Sequence, residues 1–404
     1  MEENAWLETI LNKNINDNSI AKLLNVTTDS AVPEGVNYTS IIKRATLEVL
    51  LHSGRKSKIS VILKQNHNDE EKAKMIAEFS MFKKEINIYT NVLSKFDQLM
   101  DDCQDNGDKL WCNLIGYKPY SFMVLEDLKA RNFTLAERTK FQDKNHALLV
   151  LNSLGRFHAL GYVLIKRGLL SKEDFSVFYM EAQDSTITNK FLKGGLRKLC
   201  SVIENDWSSE WKEIGKKLKK QEDVLEERIA ALFTSKENSF QTVCHGDCWT
   251  CNIMFKYCPY EKEIPIALKF LDLQLSHLNS HGFDILYYMY TSVRVHDRTA
   301  YWNELIAEYH RSLKSTLTDY GMEADAPTLD QIHAELKRLE YYGFIVSLSI
   351  MPITIAEGDG KYEMEKLNDE NGPENAFTTG IYNGENVKAA IQPVLRKFFD
   401  EGLF

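Results

Sequence analysis

Val243-Cys-His-Gly-Asp-Cys-Trp-Thr-Cys-Asn-Ile-Met-Phe-Lys-Tyr257, followed after a short spacer by Ile264-Pro-Ile-Ala-Leu-Lys-Phe-Leu-Asp-Leu-Gln274, decides how this chain is read. Residues 253–257 and 266–271 are short, apolar and β-prone. The Cys-Pro-Tyr-Glu-Lys-Glu spacer between the two stretches carries the proline and charges of a turn, so they read as a hairpin. A hairpin brings the residue that enters it, Asn252, towards the residue that leaves it, Asp272. Asp247 stands five positions before Asn252, the interval at which one carboxylate can meet a substrate hydroxyl while one amide oxygen meets a magnesium ion. Amide and carboxylate oxygens are hard donors of the kind Mg2+ takes.

Working outward, the 404 residues exceed what one hydrophobic core usually serves, so two lobes are expected. With 49 Lys and Arg against 58 Asp and Glu, the formal charge of −9 argues against a nucleic-acid surface, which needs clustered cations. Any phosphate site must therefore be a local positive pocket. Two apolar stretches, 147–165 and 344–355, are interrupted by Arg156 and His158 or by Pro352. They fall short of the roughly 20 uninterrupted apolar residues of a membrane span, so they read as buried helices, and no membrane insertion is expected. The acidic start, Met1-Glu-Glu-Asn-Ala-Trp-Leu7, lacks the pattern of a signal peptide, and seven cysteines without framework spacing fit reduced thiols. A cytoplasmic location is expected. Cys248-x-x-Cys251 would also suit a redox pair or half of a zinc site, but no second ligand pair follows at zinc spacing.

Residues 5–25 carry Trp6, Leu7, Ile10, Leu11, Ile15, Ile20, Leu23 and Leu24 at spacings near three and four, which predicts amphipathic helices packed on the first lobe. Strands are predicted over 26–32, 38–51 and 58–65. Between the first two, Gly35, Asn37, Tyr38 and Ser40 lie where backbone amides of a small-residue turn would cover nucleotide phosphates; a plain β-turn would read the same. The third strand ends on Lys64. Residues 70–96 show one apolar helical face through Ile76, Phe79, Phe82, Ile86, Tyr89 and Leu93. Glu85 on that helix is the candidate partner that aims Lys64 at phosphates, and Glu78 competes for the role. A strand pair, 110–117 and 121–125, runs into Glu126-Asp127-Leu128, a strand-to-loop exit where backbone groups could bond an adenine edge. After Thr134 helices dominate, over 142–163, 206–235 and 301–404, with a turn-rich insert from 357 to 386. Asp284 either caps its helix or, buried, braces the loop around Asp247.

Glu34-Gly35-x-Asn37-Tyr38-x-Ser40, Lys64, Phe82-x-x-Glu85-x-x-x-Tyr89, Glu126-Asp127-Leu128, Phe157-His158-Ala159, His245-Gly246-Asp247-x-Trp249-x-x-Asn252 and Asp272-x-Gln274 together resemble the ecdysteroid kinase-like family. That family is a branch of the choline and aminoglycoside phosphotransferase group within the protein-kinase-like fold. The resemblance covers nearly the whole chain, with Leu273 standing where a Phe is often found; the Asp-Phe-Gly and Ala-Pro-Glu segments of protein kinases are not visible. It implies an α+β, two-lobed fold. Residues 1–128 would form a small β-rich lobe with one regulatory helix, the phosphate loop and the hinge; residues 129–404 would form a larger, mainly helical lobe with the catalytic loop, metal site and acceptor pocket.

The resemblance also implies roles. Asp247 would orient and deprotonate the acceptor hydroxyl, with Lys64, Glu85 and His245 in the catalytic set. Gly35, Asn37, Tyr38, Ser40 and Lys64, together with Glu126, Asp127 and Leu128, would bind ATP, and Asn252 and Asp272 would hold Mg2+. The implied reaction transfers the γ-phosphate of ATP to a hydroxyl of an ecdysteroid or a related steroid or xenobiotic, for hormone inactivation or detoxification, in a monomer. Three alternatives stay open: a choline or aminoglycoside acceptor, a non-catalytic hormone- or lipid-binding protein on the same fold, and a protein kinase. A choline-type pocket would want aromatic walls, which Tyr287, Tyr288, Tyr290, Tyr341 and Tyr342 could supply.

Overall fold

The computed structural model describes residues 2–14, 20–31, 40–65, 81–119, 121–176, 180–181, 186–233 and 239–404. The predicted phosphate-loop residues Gly35, Asn37 and Tyr38, and Glu78 on the predicted helix, lie outside the described residues. Two compact units emerge: the first comprises Met1–Thr134 with Met254–Lys256 and Leu268–Gln274, the second the rest of the chain. The division is not a single cut after Leu128, because two short pieces of the predicted hairpin region belong to the first unit.

In the first unit, β1 (Ile20–Ser30), β2 (Ile41–Leu51), β3 (Lys56–Gln65), β4 (Leu114–Lys118) and β5 (Phe122–Glu126) form an antiparallel sheet of order β1-β2-β3-β5-β4. Side chains alternate across a strand, so Ala45, Leu47 and Val49 of β2 and Val61 and Leu63 of β3 fall on one buried face. Helix α1 (Glu2–Asn14) covers that face with Leu7, Ile10 and Leu11. Each such aliphatic side chain contributes about 1.5–3 kcal/mol by leaving water. Gly116 of β4 permits the close fit, since a Cβ there would stand 2.8 Å from Ile10 Cδ1.

The stretch from Ile20 to Asn25, expected to be helical, is instead the start of β1, with Leu23 opposite Val49. Ile20, Leu23 and Leu24 in so short a stretch do not fix a period, and the backbone partner offered by β2 decides it. The long helix expected over 70–96 is present from Met81 as α2 (Met81–Asn87), a π-helical turn (Ile88–Val92) and α3 (Leu93–Asp102). Such π turns concentrate at functional sites, and Glu85 lies just ahead of this one.

The chain then passes a short strand, β6 (Thr134–Leu135), into the helical unit. Its helices are α4 (Lys144–Lys166), α5 (Thr186–Asn205), α6 (Lys212–Lys219), α7 (Gln221–Leu232), α8 (Gly282–Thr291) and α9 (Val295–Asp319). They continue with α10 (Leu329–Arg338), α11 (Glu340–Ser349), α12 (Met351–Ile355), α13 (Thr379–Asn383) and α14 (Glu385–Asp400). Helix α4 is apolar and long enough to cross a membrane by composition, yet 67% of its apolar window is buried within the protein. Its glycines let neighbours approach closely: a Cβ on Gly155 would lie 2.6 Å from Tyr309 O, and one on Gly161 2.8 Å from Thr242 Oγ1.

Strand β7 (Gln241–Cys244) pairs antiparallel with β10 (His277–Ser280), placing Cys244 opposite His277. The predicted hairpin forms between them in sequence as β8 (Ile253–Tyr257) and β9 (Pro265–Phe270). Helix α8 follows β10 directly, and every one of its residues is buried. The β7–β10 pairing thus sets the loop after β7 beside the first turn of α8.

Candidate active site

The loop after β7 turns sharply at Gly246, whose φ of +83° is natural only to glycine. Space imposes the same choice, because a Cβ there would lie 2.2 Å from the carbonyl oxygen of Leu275. Asp284, fully buried in the first turn of α8, receives the turn: His245 N donates to Oδ2 at 2.6 Å and Gly246 N to Oδ1 at 2.9 Å. His158 Nε2 on α4 lies 3.0 Å from Oδ2, and its Nδ1 lies 2.8 Å from the Tyr309 hydroxyl on α9. Burial alone would raise the Asp284 carboxyl, but the hydrogen bond and charge of His158 and the loop amides hold it below the ordinary aspartate value. The aspartate is therefore a brace rather than a helix cap. His158, Cys244 and Asp284 bring potential ligand atoms within 4.8 Å of one another, but both Asp284 oxygens already accept hydrogen bonds, so the cluster is a structural lattice.

Held by this brace, the Asp247 carboxylate is engaged on both oxygens. Tyr287 on α8 donates its hydroxyl to Oδ1 at 2.5 Å, and Asn252 Nδ2 donates to Oδ2 at 2.9 Å and to the Asp247 carbonyl at 3.0 Å. Asp284 and Tyr287 lie three apart on α8 and share a helical face, so one helix supports the loop backbone and orients its carboxylate. Asn252 commits its amide nitrogen to Asp247, which leaves Oδ1 as its donor atom.

In the first unit, Lys64 is the penultimate residue of β3, on the face opposite the α1 core, and is buried. Its Nζ lies 2.7 Å from Glu85 Oε2 on α2 and 2.7 Å from Asp272 Oδ1. Burial alone would pull the lysine down, but Asp272 and Glu85 override it and hold the ammonium above the ordinary lysine value. Burial pushes the Glu85 carboxyl up, against the attraction of Lys64 and with help from Asp272. The cluster sets two carboxylates against one ammonium. Asp272 takes the left-handed backbone, φ +58°, a region costly to most side chains and visited by aspartate, and Gln274 Nε2 lies 3.4 Å from its Oδ2. Backbone in sparsely populated regions clusters at functional sites.

Taken singly, Asp272 of the first unit offers a carboxylate oxygen and Asn252 of the second an amide oxygen, each of the hard donor type that Mg2+ takes. Residues 34–322, well over half of the chain, match the ecdysteroid kinase-like family. The chain belongs to that family. It is accordingly a kinase-like phosphotransferase of the small-molecule class. Among solved structures, a mutant aminoglycoside 2′-phosphotransferase IIIa in complex with GDP is similar, with a TM-score of 0.39, 10% sequence identity and 98% of each chain covered. Among curated proteins none matches significantly.

Within this ecdysteroid kinase-like chain, the predicted residues separate by what their side chains touch. Lys64, Glu85 and Asp272 meet in the first unit; Asp247 and Asn252 meet in the second. His245, placed by sequence in the catalytic set, is buried, and its Nδ1 accepts the Asp247 amide at 3.2 Å, so it positions the loop. Ser40 is buried at the start of β2's approach. The hinge carboxylates are engaged elsewhere. Asp127 accepts from Arg44 Nε at 2.7 Å and Ser60 Oγ at 2.5 Å and caps the following turn through Lys129 N, while Glu126 takes Arg131 and Asn113. What Glu126, Asp127 and Leu128 can offer a nucleotide is backbone.

Cys248 and Cys251 are free thiols that burial pushes up, Cys251 to about 12, so neither is poised as a thiolate. Of the candidate aromatics, Tyr288 and Tyr342 are core, Tyr288 donating to Gln142 at 2.5 Å. Sequence reasoning missed the grip of Tyr287 on Asp247 and the link from His158 through Asp284. The available signal was the Asp284-x-x-Tyr287 spacing on a helix that follows the Asp272 segment.

Proposed function

We propose that this ecdysteroid kinase-like chain is a Mg2+- and ATP-dependent kinase that phosphorylates a hydroxyl of an ecdysteroid or of a related steroid or xenobiotic. One observation carries the reading: the Asp247 carboxylate, gripped on both oxygens, stands on a turn that only glycine can make. Such a group aims the acceptor hydroxyl and takes its proton late in the transfer, where positioning does most of the work.

Lys64 neutralises phosphate charge, and Glu85 keeps its ammonium aimed by holding one side of it. Asn252 and Asp272 are the residues that would hold Mg2+, and the ion when bound supplies neutralisation of the charge on the transferring phosphoryl group. His245 and Asp284 act on the reaction through the loop they fix. Acceptor contacts are assigned to the helical region after Asp284, where Tyr287 already reaches Asp247. The acceptor is taken to be a small molecule met in the cytoplasm, a setting compatible with seven free thiols.

The test is mass-spectrometric detection of phosphorylated products after incubating the protein with Mg-ATP and a panel of ecdysteroids, other steroids, choline and hydroxylated xenobiotics. A gain of one phosphate on a steroid, reduced roughly 10²–10⁴-fold in Asp247→Asn, is the expected result. Phosphorylation confined to choline would replace the acceptor class, and an Asp247→Asn variant as active as the wild type would sink the mechanism.

A further inference from the structure

The second unit holds a cavity of about 590 Å3 among α8, α9, α10, α11 and α14. That volume lies within the range of small-molecule sites. Leu286, Tyr290, Trp302, Leu336 and Val394 supply apolar wall, and Arg298 of α9 lies on the same wall. Neither Asp247 nor Tyr287 lines it, so a molecule seated there does not present a hydroxyl to the catalytic loop.

Arg298 is the unusual member of the wall. It is only 6% exposed, its Nη1 donates to the Met289 carbonyl at 2.9 Å, and its guanidinium stacks 4.2 Å from the Tyr290 ring centroid. Among the described residues no carboxylate pairs with it. The other cations at the cavity are matched: Lys337 bonds Glu340, and Lys397 lies 3.6 Å from Glu340 and 4.0 Å from Glu401. A buried guanidinium without a counter-charge is costly, and its planar fork suits an oxyanion. A helix-terminal role through Met289 occupies one of its five donors.

We propose that this cavity is a second binding site, separate from the catalytic loop, for an apolar molecule bearing one oxyanion, with Arg298 as the group that recognises the charge. A carboxylate, sulfate or phosphate on a ring-shaped hydrophobe meets that description.

The probe is anilinonaphthalene sulfonate, with its neutral parent anilinonaphthalene as control, titrated by fluorescence and by calorimetry into the full chain. The sulfonate binds one saturable site more tightly than the parent. Arg298→Gln weakens the sulfonate at least about tenfold and leaves the parent unchanged, the loss of one charge-assisted contact. Thr299→Trp, an exposed lining position, fills the cavity mouth and weakens both probes without touching Arg298. Equal binding of sulfonate and parent to the wild type, or full sulfonate affinity in Arg298→Gln, overturns the proposal, as does unchanged binding of both probes in Thr299→Trp. Should Arg298→Gln fail to fold, judged by its melting curve, the two-probe comparison on wild type and Thr299→Trp decides.

Discussion

The two units treat their carboxylates in opposite ways. In the first, Lys64 sits between Glu85 and Asp272, and attraction and repulsion between whole charges set the arrangement. In the second, Asp284 and Asp247 are surrounded by backbone amides, a histidine, a tyrosine and an amide side chain, so direction rather than charge sets it. A charge cluster can exchange partners when an ion or phosphate arrives, because Coulomb attraction falls slowly with distance. A hydrogen-bond lattice fails abruptly when one member moves, because its bonds weaken steeply with angle. The lesson is a division of labour: the first unit is built to meet charge and the second to hold geometry.

The sharpest way to break this comparison is Asp284→Ala. It removes the acceptor of two buried amides and of His158, and a stability loss of about 3–5 kcal/mol in urea unfolding is expected. A loss under about 1 kcal/mol would show that the lattice does not depend on its centre. Gly246→Ala comes next, combining the left-handed penalty of about 1–2 kcal/mol with the approach to the Leu275 carbonyl. It should lower both the melting temperature and kcat, and retention of both would remove the steric argument for the turn.

Tyr287→Phe is milder. Deleting one donor to Asp247 should reduce kcat roughly tenfold, with little change in melting temperature or in nucleotide KM. An altered KM with kcat preserved would move Tyr287 from aiming the base to binding.

The smallest effect belongs to the charge cluster. Glu85 is raised in the folded protein, so its stabilising contribution is full below its unfolded value of about 4.3 and is lost as pH rises through the folded value. The stability of wild type relative to Glu85→Gln should therefore decline as pH rises through that window and then level. A difference independent of pH would contradict the reading of an excess negative charge around Lys64.

Much of the catalytic stretch was legible because its members are close in sequence. Asp247 and Asn252 are five residues apart, and a single loop and hairpin entry bring them together. Lys64 and Glu85 could be paired from a strand end and a helix face, although periodicity alone left Glu78 as a competitor. The first β-strand was misread over Ile20 to Asn25 because a short apolar pattern has no preferred period until β2 offers its edge. The partners of His245 Nδ1 and of the Glu126 and Asp127 carboxylates were not legible, since a motif names a residue and not the group that engages its side chain; the backbone role read for the hinge does not depend on those partners.

The sequence by itself determined the α+β class, the family and the order of the charged residues, all of which rest on local spacing and residue chemistry. Only the tertiary structure decided that His158 and Asp284, 126 positions apart, would form the brace, that Tyr287 would grip Asp247 across 40 positions, and that Arg298 would be buried with no carboxylate partner among the described residues. The physical reason is common to all three. Which distant polar groups meet is settled by how helices pack and which donors and acceptors must be satisfied once water is gone, and no spacing along the chain encodes that pairing.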